Sequence, residues 1–127
     1  MDQLDGARVL LVDDSALARA DLLRKMDGAG AEVTAVDSAR AALDALAEKA
    51  FDVLVCDLCL PSTDGYALIK AIRRGRGPNR AIAAVAITGE ADEEARRKAL
   101  ASGFDDFLPK LVSALLVPTV ARLREPR

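Results

Sequence analysis

Short apolar runs alternate along the chain with segments that begin in helix caps, and this alternation constrains the fold more than any other feature. The runs at 8–12 and 53–56 do not alternate apolar with polar residues. Such runs are typical of strands buried on both faces of a sheet. Ser15 and Ser38 follow such runs and are suited to cap helices. Strand–helix alternation requires parallel strands joined by right-handed crossovers. The sequence therefore predicts an α/β domain whose doubly wound sheet is covered by helices on both sides.

The pattern predicts five strands and five helices. The strands are expected at 8–12, 32–36, 53–56, 81–87 and 104–108. The helices are expected at 16–27, after Ser38, at 66–73, from about 93 to Gly103, and in the apolar tail that ends near Leu123. Pro118 lies in that tail and should kink the last helix or delay its start.

Composition narrows the function. The chain has 127 residues, a length typical of one domain. Its formal net charge of −2 argues against direct binding to nucleic acid or to a membrane surface. There is no histidine, which excludes Ser-His-Asp and Cys-His catalysis within this chain. The longest uncharged stretch, 111–121, is too short to span a bilayer, and we expect a cytoplasmic domain.

Polar side chains follow the strands at their carboxyl ends. The first strand leads into Asp13 and Asp14, the third into Asp57, the fourth into Thr88 and the fifth into Lys110. Ligands of open parallel sheets bind outside the carboxyl ends of the strands, so we expect these groups to gather at one rim. No comparable set of polar residues stands at the other ends of the strands.

Three neighbouring carboxylates repel one another unless a cation lies among them. Mg²⁺ prefers oxygen ligands, and a carboxylate can act as a nucleophile toward phosphorus. The oxygens of a transferred phosphoryl group could then contact the metal, Lys110, and the hydroxyl of Thr88 with a nearby backbone N–H. The set of residues therefore predicts phosphoryl acceptance.

These motifs resemble the receiver domain of two-component response regulators. The resemblance covers about 6–123, and it rests on 9–14, Asp57 with Pro61 and 64–65, 88–89, and Phe107 with Lys110. It implies a flavodoxin-like (βα)5 fold with strand order 2-1-3-4-5. The chain would then be one receiver domain over 1–127, with 124–127 as a tail or linker stub. The segments 4–8 and 99–105 look most like receivers of hybrid sensor kinases.

The resemblance also implies a role for each site residue. Asp57 would be the phosphoacceptor, and Thr88 and Lys110 would contact the phosphoryl group. Asp14 would ligate Mg²⁺ (or Mn²⁺) directly, Asp13 mostly through water, and Cys59 through its backbone carbonyl. Phe107 would be the aromatic residue whose side chain turns inward as the threonine moves.

The same resemblance implies partners. The phosphoryl donor would be a phosphohistidine on a sensor histidine kinase or a histidine phosphotransfer protein. The surface of the fourth helix, fifth strand and fifth helix, about 91–123, would bind a downstream protein or in-chain domain, and a homodimer could form there. Such a domain accepts a phosphoryl group and does not turn over a separate substrate.

The sequence departs from the family after the lysine, and two other functions stay open. Leu111 stands where the family has proline, and the Lys110–Leu111 peptide is expected to be trans because a non-proline cis bond costs about 3–4 kcal/mol. One alternative is a degenerate receiver that acts as an unphosphorylated interaction domain. The other is a phosphatase resembling the haloacid dehalogenase group, but its general acid would fall on Cys59, a poor acid for that step.

Two further patterns have simpler explanations. The spacing of Cys56 and Cys59 matches a redox motif, but Cys56 lies in a predicted strand and no helix N-terminus follows it. A coincidence of spacing is favoured. Residues 70–80 contain five basic and no acidic side chains, without interleaved aromatic residues. A solvated face is favoured there over a nucleic-acid patch, with docking of an acidic partner as the alternative.

Overall fold

Five parallel strands and five α-helices alternate along residues 2–125, the part of the chain that this computed structural model describes. The strands are β1 (Arg8–Val12), β2 (Glu32–Val36), β3 (Val53–Asp57), β4 (Ala83–Thr88) and β5 (Asp106–Pro109). The helices are α1 (Ala16–Gly28), α2 (Ala39–Glu48), α3 (Gly65–Arg74), α4 (Glu93–Ser102) and α5 (Leu116–Leu123). The strands form one sheet in the order β2-β1-β3-β4-β5. The predicted fold class and strand order are confirmed.

The core has two halves, one on each face of the sheet. Leu10 and Leu54 point to the face that is covered by α2, α3 and α4. Val9 and Leu11 point to the opposite face, where α1 and α5 pack. All four of these strand residues are fully buried. Both faces of the central strands are therefore apolar, as the uninterrupted apolar runs predict.

Side-chain caps start the first four helices. Ser15 Oγ accepts a hydrogen bond from Ala18 N at 3.2 Å, and Ser38 Oγ accepts one from Ala41 N at 3.1 Å. Both serine caps confirm the sequence prediction. The α3 and α4 helices are capped in the same way by aspartates, Asp64 and Asp92. Each cap satisfies one backbone N–H that has no partner within its helix.

The predicted bounds of the fourth and fifth strands were wrong. The β4 strand starts two residues later than expected because Ile82 N donates to Asn79 O, at 3.1 Å, within a turn. The β5 strand was predicted at 104–108 but spans Asp106–Pro109. Asp105 Oδ2 accepts the Ala84 N–H at 2.8 Å, so a side chain takes the place of a strand carbonyl and β5 starts beyond it.

The segment after β5 is helical in two steps. Residues Lys110–Leu115 form a 3-10 helix that is interrupted at Val112, and α5 begins only at Leu116. Pro118 lies in the first turn of α5, where a missing N–H costs no helical hydrogen bond. The delayed start that Pro118 predicts is therefore observed. The Lys110–Leu111 peptide is trans, as predicted, since residues 2–125 contain no cis peptide bond.

The packed region extends beyond the expected core of 6–123. Leu4 is fully buried against the α1 and α5 side of the sheet, and its N–H donates to Ala29 O at 2.8 Å. In the predicted tail at 124–127, Arg124 Nη1 donates to Asp5 O at 2.9 Å. Residues 126 and 127 of that tail lie outside the described residues.

Among residues 2–125, no helix has both the length and the hydrophobicity that spanning a lipid bilayer would require.

Gly65 allows α3 to start directly against the end of β3. A Cβ atom at this position would lie 2.5 Å from Asp57 O and 2.9 Å from Leu58 Cα. We predict that Gly65→Ala lowers the free energy of unfolding by about 1–3 kcal/mol, the usual cost of overpacking. Urea denaturation measures this change.

Gly28→Ala is the matched control. A Cβ at Gly28 meets nothing within 4 Å, and alanine favours a helix by up to about 1 kcal/mol over glycine. We expect Gly28→Ala to be at least as stable as the wild type. Equal stability of Gly65→Ala and the wild type would contradict the close contact.

Candidate functional site

Asp13 lies at the end of β1 and is fully buried. Its N–H donates to Val36 O at 3.1 Å, which continues the pairing of β1 with β2 by one residue. Its Oδ1 accepts the N–H of Ser15 at 2.9 Å, and Arg19 Nη1 donates to its carbonyl oxygen at 2.8 Å. The carboxylate is therefore held by the same turn that starts α1. Sequence reasoning missed Arg19, whose contact is with backbone and leaves no motif.

Asp57 is the last residue of β3, and its side chain is only 4% exposed. Its Oδ1 accepts the N–H of Cys59 at 3.0 Å. Burial raises the pKa of Asp57, the Cys59 N–H and the Lys110 ammonium oppose that rise, and the nearby charge of Asp13 adds to it. The net direction is upward, so Asp57 ionises less readily than an aspartate in water unless more positive charge is supplied.

Lys110 joins the two buried carboxylates. Its Nζ lies 3.0 Å from Asp57 Oδ2 and 3.0 Å from Asp13 Oδ2. Burial alone would lower the pKa of Lys110, but the two carboxylates outweigh it and the pKa lies above its usual value. The ammonium is therefore held in its charged form between β1 and β3.

Three acidic residues could hold a metal ion. Carboxylate oxygens of Asp13, Asp14 and Asp57 all lie within 4.8 Å of one another, and Asp14 is exposed to solvent. Asp13 Oδ2 is buried and lies 3.0 Å from Lys110 Nζ. A donor set made only of carboxylate oxygens fits Mg²⁺ or Mn²⁺. The structure thus brings together the three predicted acidic ligands, while the role of the Cys59 carbonyl stays a prediction.

Thr88 ends β4 beside this group. Asp57 pairs with Ile87 across β3 and β4, which places Thr88 one residue beyond Asp57 along the sheet. Thr88 is 2% exposed, and its Oγ1 accepts the N–H of Glu90 at 3.1 Å. It lines a cleft of about 370 Å³ together with Cys59. The hydroxyl is therefore positioned at the predicted rim, in contact with the loop that leads to α4.

Phe107 lies on β5 opposite Ala86 of β4. It is half-buried and packs against the α2, α3 and α4 side of the core. Its predicted inward movement remains a prediction.

The two cysteines differ in their surroundings. Both are free, with Cys56 buried and Cys59 exposed. Burial raises the pKa of the Cys56 thiol, and its Sγ donates to Asp57 O at 3.2 Å. A protonated and buried thiol is a poor nucleophile, which supports a coincidence of spacing.

Exposed leucines lie on α1 and on the 3-10 turn that begins at Lys110, a feature that sequence reasoning missed. Leu17 is 85% exposed in the first turn of α1, Leu111 is 95% exposed and Leu115 is 51% exposed. The two elements contact each other, since Lys25 Nζ donates to Ser113 Oγ at 2.6 Å. The stretch 111–121 suggests a buried helix, and only the 3-10 turn shows which of its leucines face solvent. We call Leu17, Leu111 and Leu115 the apolar rim.

The acidic group lies at the carboxyl end of a parallel sheet with strand order 2-1-3-4-5, and Lys110 contacts two of its carboxylates. These features define the receiver class of α/β domains. The sequence matches the family described as "Response regulator receiver domain" over residues 9–118. The chain belongs to this family.

Among the curated relatives, one is a chain of similar length, and another is a longer protein that is similar over only part of its length. An "Uncharacterized 14.6 kDa protein in sodA1 3'region" of Leptolyngbya boryana is 40% identical over 116 residues, which are 91% of this chain and 87% of the relative. "Sensor protein GacS" of Pseudomonas syringae pv. syringae is 35% identical over 108 residues, which are 84% of this chain. The chain spans only 12% of the length of that sensor protein.

Solved receiver structures have the same fold. The receiver domain of Francisella response regulator 1452 is 26% identical, with a TM-score of 0.86 over 94% of this chain and 97% of that one. The receiver domain of sensor histidine kinase PA1611 from Pseudomonas aeruginosa PAO1 is 28% identical, with a TM-score of 0.81 over 94% and 98%. That structure is described with a magnesium ion coordinated in its active site cleft.

The ion pairs of Lys110 predict a stability effect that a divalent metal can offset. Lys110→Met leaves Asp13 and Asp57 buried without their cation, which should cost about 3 kcal/mol when metal is removed by a chelator. Added Mg²⁺ should raise the melting temperature of Lys110→Met more than that of the wild type. Thermal unfolding with chelator and with Mg²⁺ measures both effects.

Lys70→Met is the control, because Lys70 is exposed on α3 and has no carboxylate partner within residues 2–125. We expect its stability and its response to Mg²⁺ to match the wild type. If Lys110→Met were as stable as Lys70→Met in chelator, the ammonium would not be needed between the carboxylates.

Proposed function

We propose that this chain is the phosphoacceptor module of a two-component phosphorelay, and that Asp57 receives the phosphoryl group from a phosphohistidine on a partner. One observation carries the proposal: the carboxylate oxygens of Asp13, Asp14 and Asp57 converge while Lys110 contacts two of the three side chains.

Asp57 supplies the nucleophile. A carboxylate oxygen attacks phosphorus, the phosphorus–nitrogen bond to the donor imidazole breaks, and that nitrogen keeps the electron pair. Oδ1 is held by the Cys59 N–H, and Lys110 is at hydrogen-bonding distance from Oδ2. Lys110 and the Thr88 hydroxyl are the groups of this chain that would contact phosphoryl oxygens.

Asp13, Asp14 and Asp57 would hold Mg²⁺ or Mn²⁺, with the Cys59 carbonyl as a further ligand. When bound, the ion neutralises carboxylate charge and lowers the repulsion between Asp57 and an incoming phosphoryl group. The residues themselves orient the nucleophile, and Lys110 keeps a positive charge at the site before any donor arrives.

The partner that delivers the phosphoryl group would be a sensor histidine kinase or a histidine phosphotransfer protein. The apolar rim supports this, because Leu17 and Leu111 are largely exposed. Leu111 follows Lys110 in the chain, and Ala18, next to Leu17, lines one small hollow with Lys110. Exposed leucines in such a group are typical of a protein contact surface. The donor protein would cover them while its histidine approaches Asp57.

The output side would be the α4–β5–α5 surface. Thr88 is hydrogen-bonded to the loop that precedes α4, so a shift of its hydroxyl toward a phosphoryl group would release Glu90 N. Phe107 would move with it, and the surface would change its affinity for a downstream protein, an in-chain domain or a second copy. The chain would not turn over a separate substrate or bind nucleic acid directly, and its cytoplasmic location stays a prediction.

Phosphorylation with a small phosphodonor tests the assignment. With acetyl phosphate and Mg²⁺, the wild type should gain the mass of one phosphoryl group, and Asp57→Asn should gain none because an amide is not a nucleophile here. Intact-protein mass spectrometry reads both results.

Asp52→Asn is the matched control. Asp52 is an exposed aspartate at the opposite end of β3, where it accepts the Arg8 N–H at 2.8 Å. The Asp52→Asn variant should gain the mass of one phosphoryl group, as the wild type does. Incorporation into Asp57→Asn would refute the acceptor, and a wild type that stays unmodified with Mg²⁺ would favour the unphosphorylated interaction domain.

A second experiment tests the apolar rim. Leu17→Ser should slow phosphotransfer from a phosphorylated histidine phosphotransfer protein about tenfold, the factor expected when one leucine loses its burial in the complex. The rate with acetyl phosphate should not change. Leu43 is an exposed leucine on α2, and Leu43→Ser should behave like the wild type in both reactions. Equal slowing with both donors would mean that Leu17 shapes the site and not the docking.

A further inference from the structure

A small apolar hollow lies between α2 and α3, far along α3 from the phosphoacceptor. Gly65 at the start of α3 contacts Asp57, whereas the hollow lies beside the last turn of that helix. It has a volume of about 190 Å³. Its apolar walls come from Leu43, Leu46, Ala47, Ala71, Ile72 and Pro78. Small-molecule sites usually exceed about 300 Å³, so the hollow suits one apolar side chain rather than a cofactor.

The loop that borders the hollow is fixed by a buried asparagine. Asn79 Oδ1 accepts the Phe51 N–H at 3.0 Å. Asn79 Nδ2 donates to Leu46 O and to Lys49 O, both at 2.8 Å. These bonds tie the loop to the end of α2 and to the start of β3. A preformed hollow needs little ordering when a partner binds, which favours affinity.

Positive charge without an ion-pair partner lies at the hollow and along α3. Arg76 and Arg80 border the hollow, and Lys70 and Arg74 follow one another at i,i+4 on α3. Within residues 2–125, none of the four has a carboxylate oxygen within 4.0 Å. Arg80 is also oriented, because its Nε donates to Arg73 O at 2.9 Å.

The sequence around these cations holds no acidic residue from 65 to 89. Asp44 of α2 pairs with Arg40 at 3.5 Å, and Asp105 pairs with Arg73 at 3.4 Å. Glu48, which follows Ala47 of the hollow, has no cation within 4.0 Å among residues 2–125. The four cations exceed the charge of Glu48, so the surface attracts negative charge from outside the chain.

We propose that this α2–α3 surface docks an acidic polypeptide segment that inserts one apolar side chain into the hollow. The cations favour an acidic partner, and the apolar walls of the hollow favour a peptide over a polyphosphate. A nucleic acid is the less suitable polyanion, since no aromatic side chain lies among the cations of 70–80 to stack on bases. The site does not include Asp57, so we expect docking not to require phosphoryl acceptance.

A synthetic peptide tests the proposal with the full chain. The probe is a fluorescein-labelled peptide with one leucine flanked by aspartates and glutamates, and the comparison peptide has serine in place of that leucine. The leucine peptide should bind about tenfold more tightly, the effect expected for burying one leucine. In ¹⁵N NMR spectra, it should shift the amide signals of Ile72, Gly75 and Asn79.

Variants locate the binding. Leu43→Ser should weaken binding of the leucine peptide about tenfold, and Arg76→Ala about fivefold at low salt. Leu17→Ser and Arg24→Ala remove an exposed leucine and an exposed arginine of α1 and should bind like the wild type. NMR spectra of each variant confirm that the fold is retained.

Three results would overturn the proposal: equal affinity for the leucine and serine peptides, unchanged binding by Leu43→Ser and Arg76→Ala, or tighter binding of single-stranded DNA than of the leucine peptide. Asp57→Asn should bind the leucine peptide like the wild type. Peptide binding can therefore be observed even if Asp57 does not accept a phosphoryl group, and the two proposals can fail separately.

Discussion

The ammonium group of Lys110 between two buried carboxylates is the interaction on which the site depends. Asp13 and Asp57 end neighbouring strands, and Val12 pairs directly with Cys56 just before them. Parallel pairing thus forces two negative charges together at the rim of an apolar sheet. Without a cation, burial and mutual repulsion would favour protonation of one carboxylate. Lys110 directly follows β5, which lies two strands away from β3. Its ion pairs with Asp13 and Asp57 therefore connect the centre of the sheet with its edge.

The same interaction explains how a stable domain can keep a nearly buried carboxylate at the edge of its sheet. The apolar layers on both faces hold the strands, and the charged residues lie only beyond the strand ends. Asp57 is nearly buried, whereas Asp14 opens the group to solvent. The acidic group is therefore open to solvent on one side while the core stays covered. Membership of the receiver family agrees with this arrangement.

Much of the fold could be predicted because its causes are local. Apolar runs, serine caps and strand-end carboxylates are each readable from a few adjacent residues. The bounds of β5 and the shape of the segment after it could not be predicted in this way. Asp105 accepts a hydrogen bond from β4, and Leu111 and Leu115 lie on a 3-10 turn whose exposed side follows from packing on α1. A hydrophobic stretch in the sequence therefore became an exposed rim.

From its residues alone, the chain is an alternating α/β protein with carboxylates, a hydroxyl and an amine at the same strand ends, because periodicity and strand direction are local properties. Distances and partners required the folded chain. The contact of Lys110 with two aspartates and the hollow between Leu43 and Arg76 each join residues far apart in sequence. Such contacts depend on how helices and strands pack, which sequence periodicity does not specify.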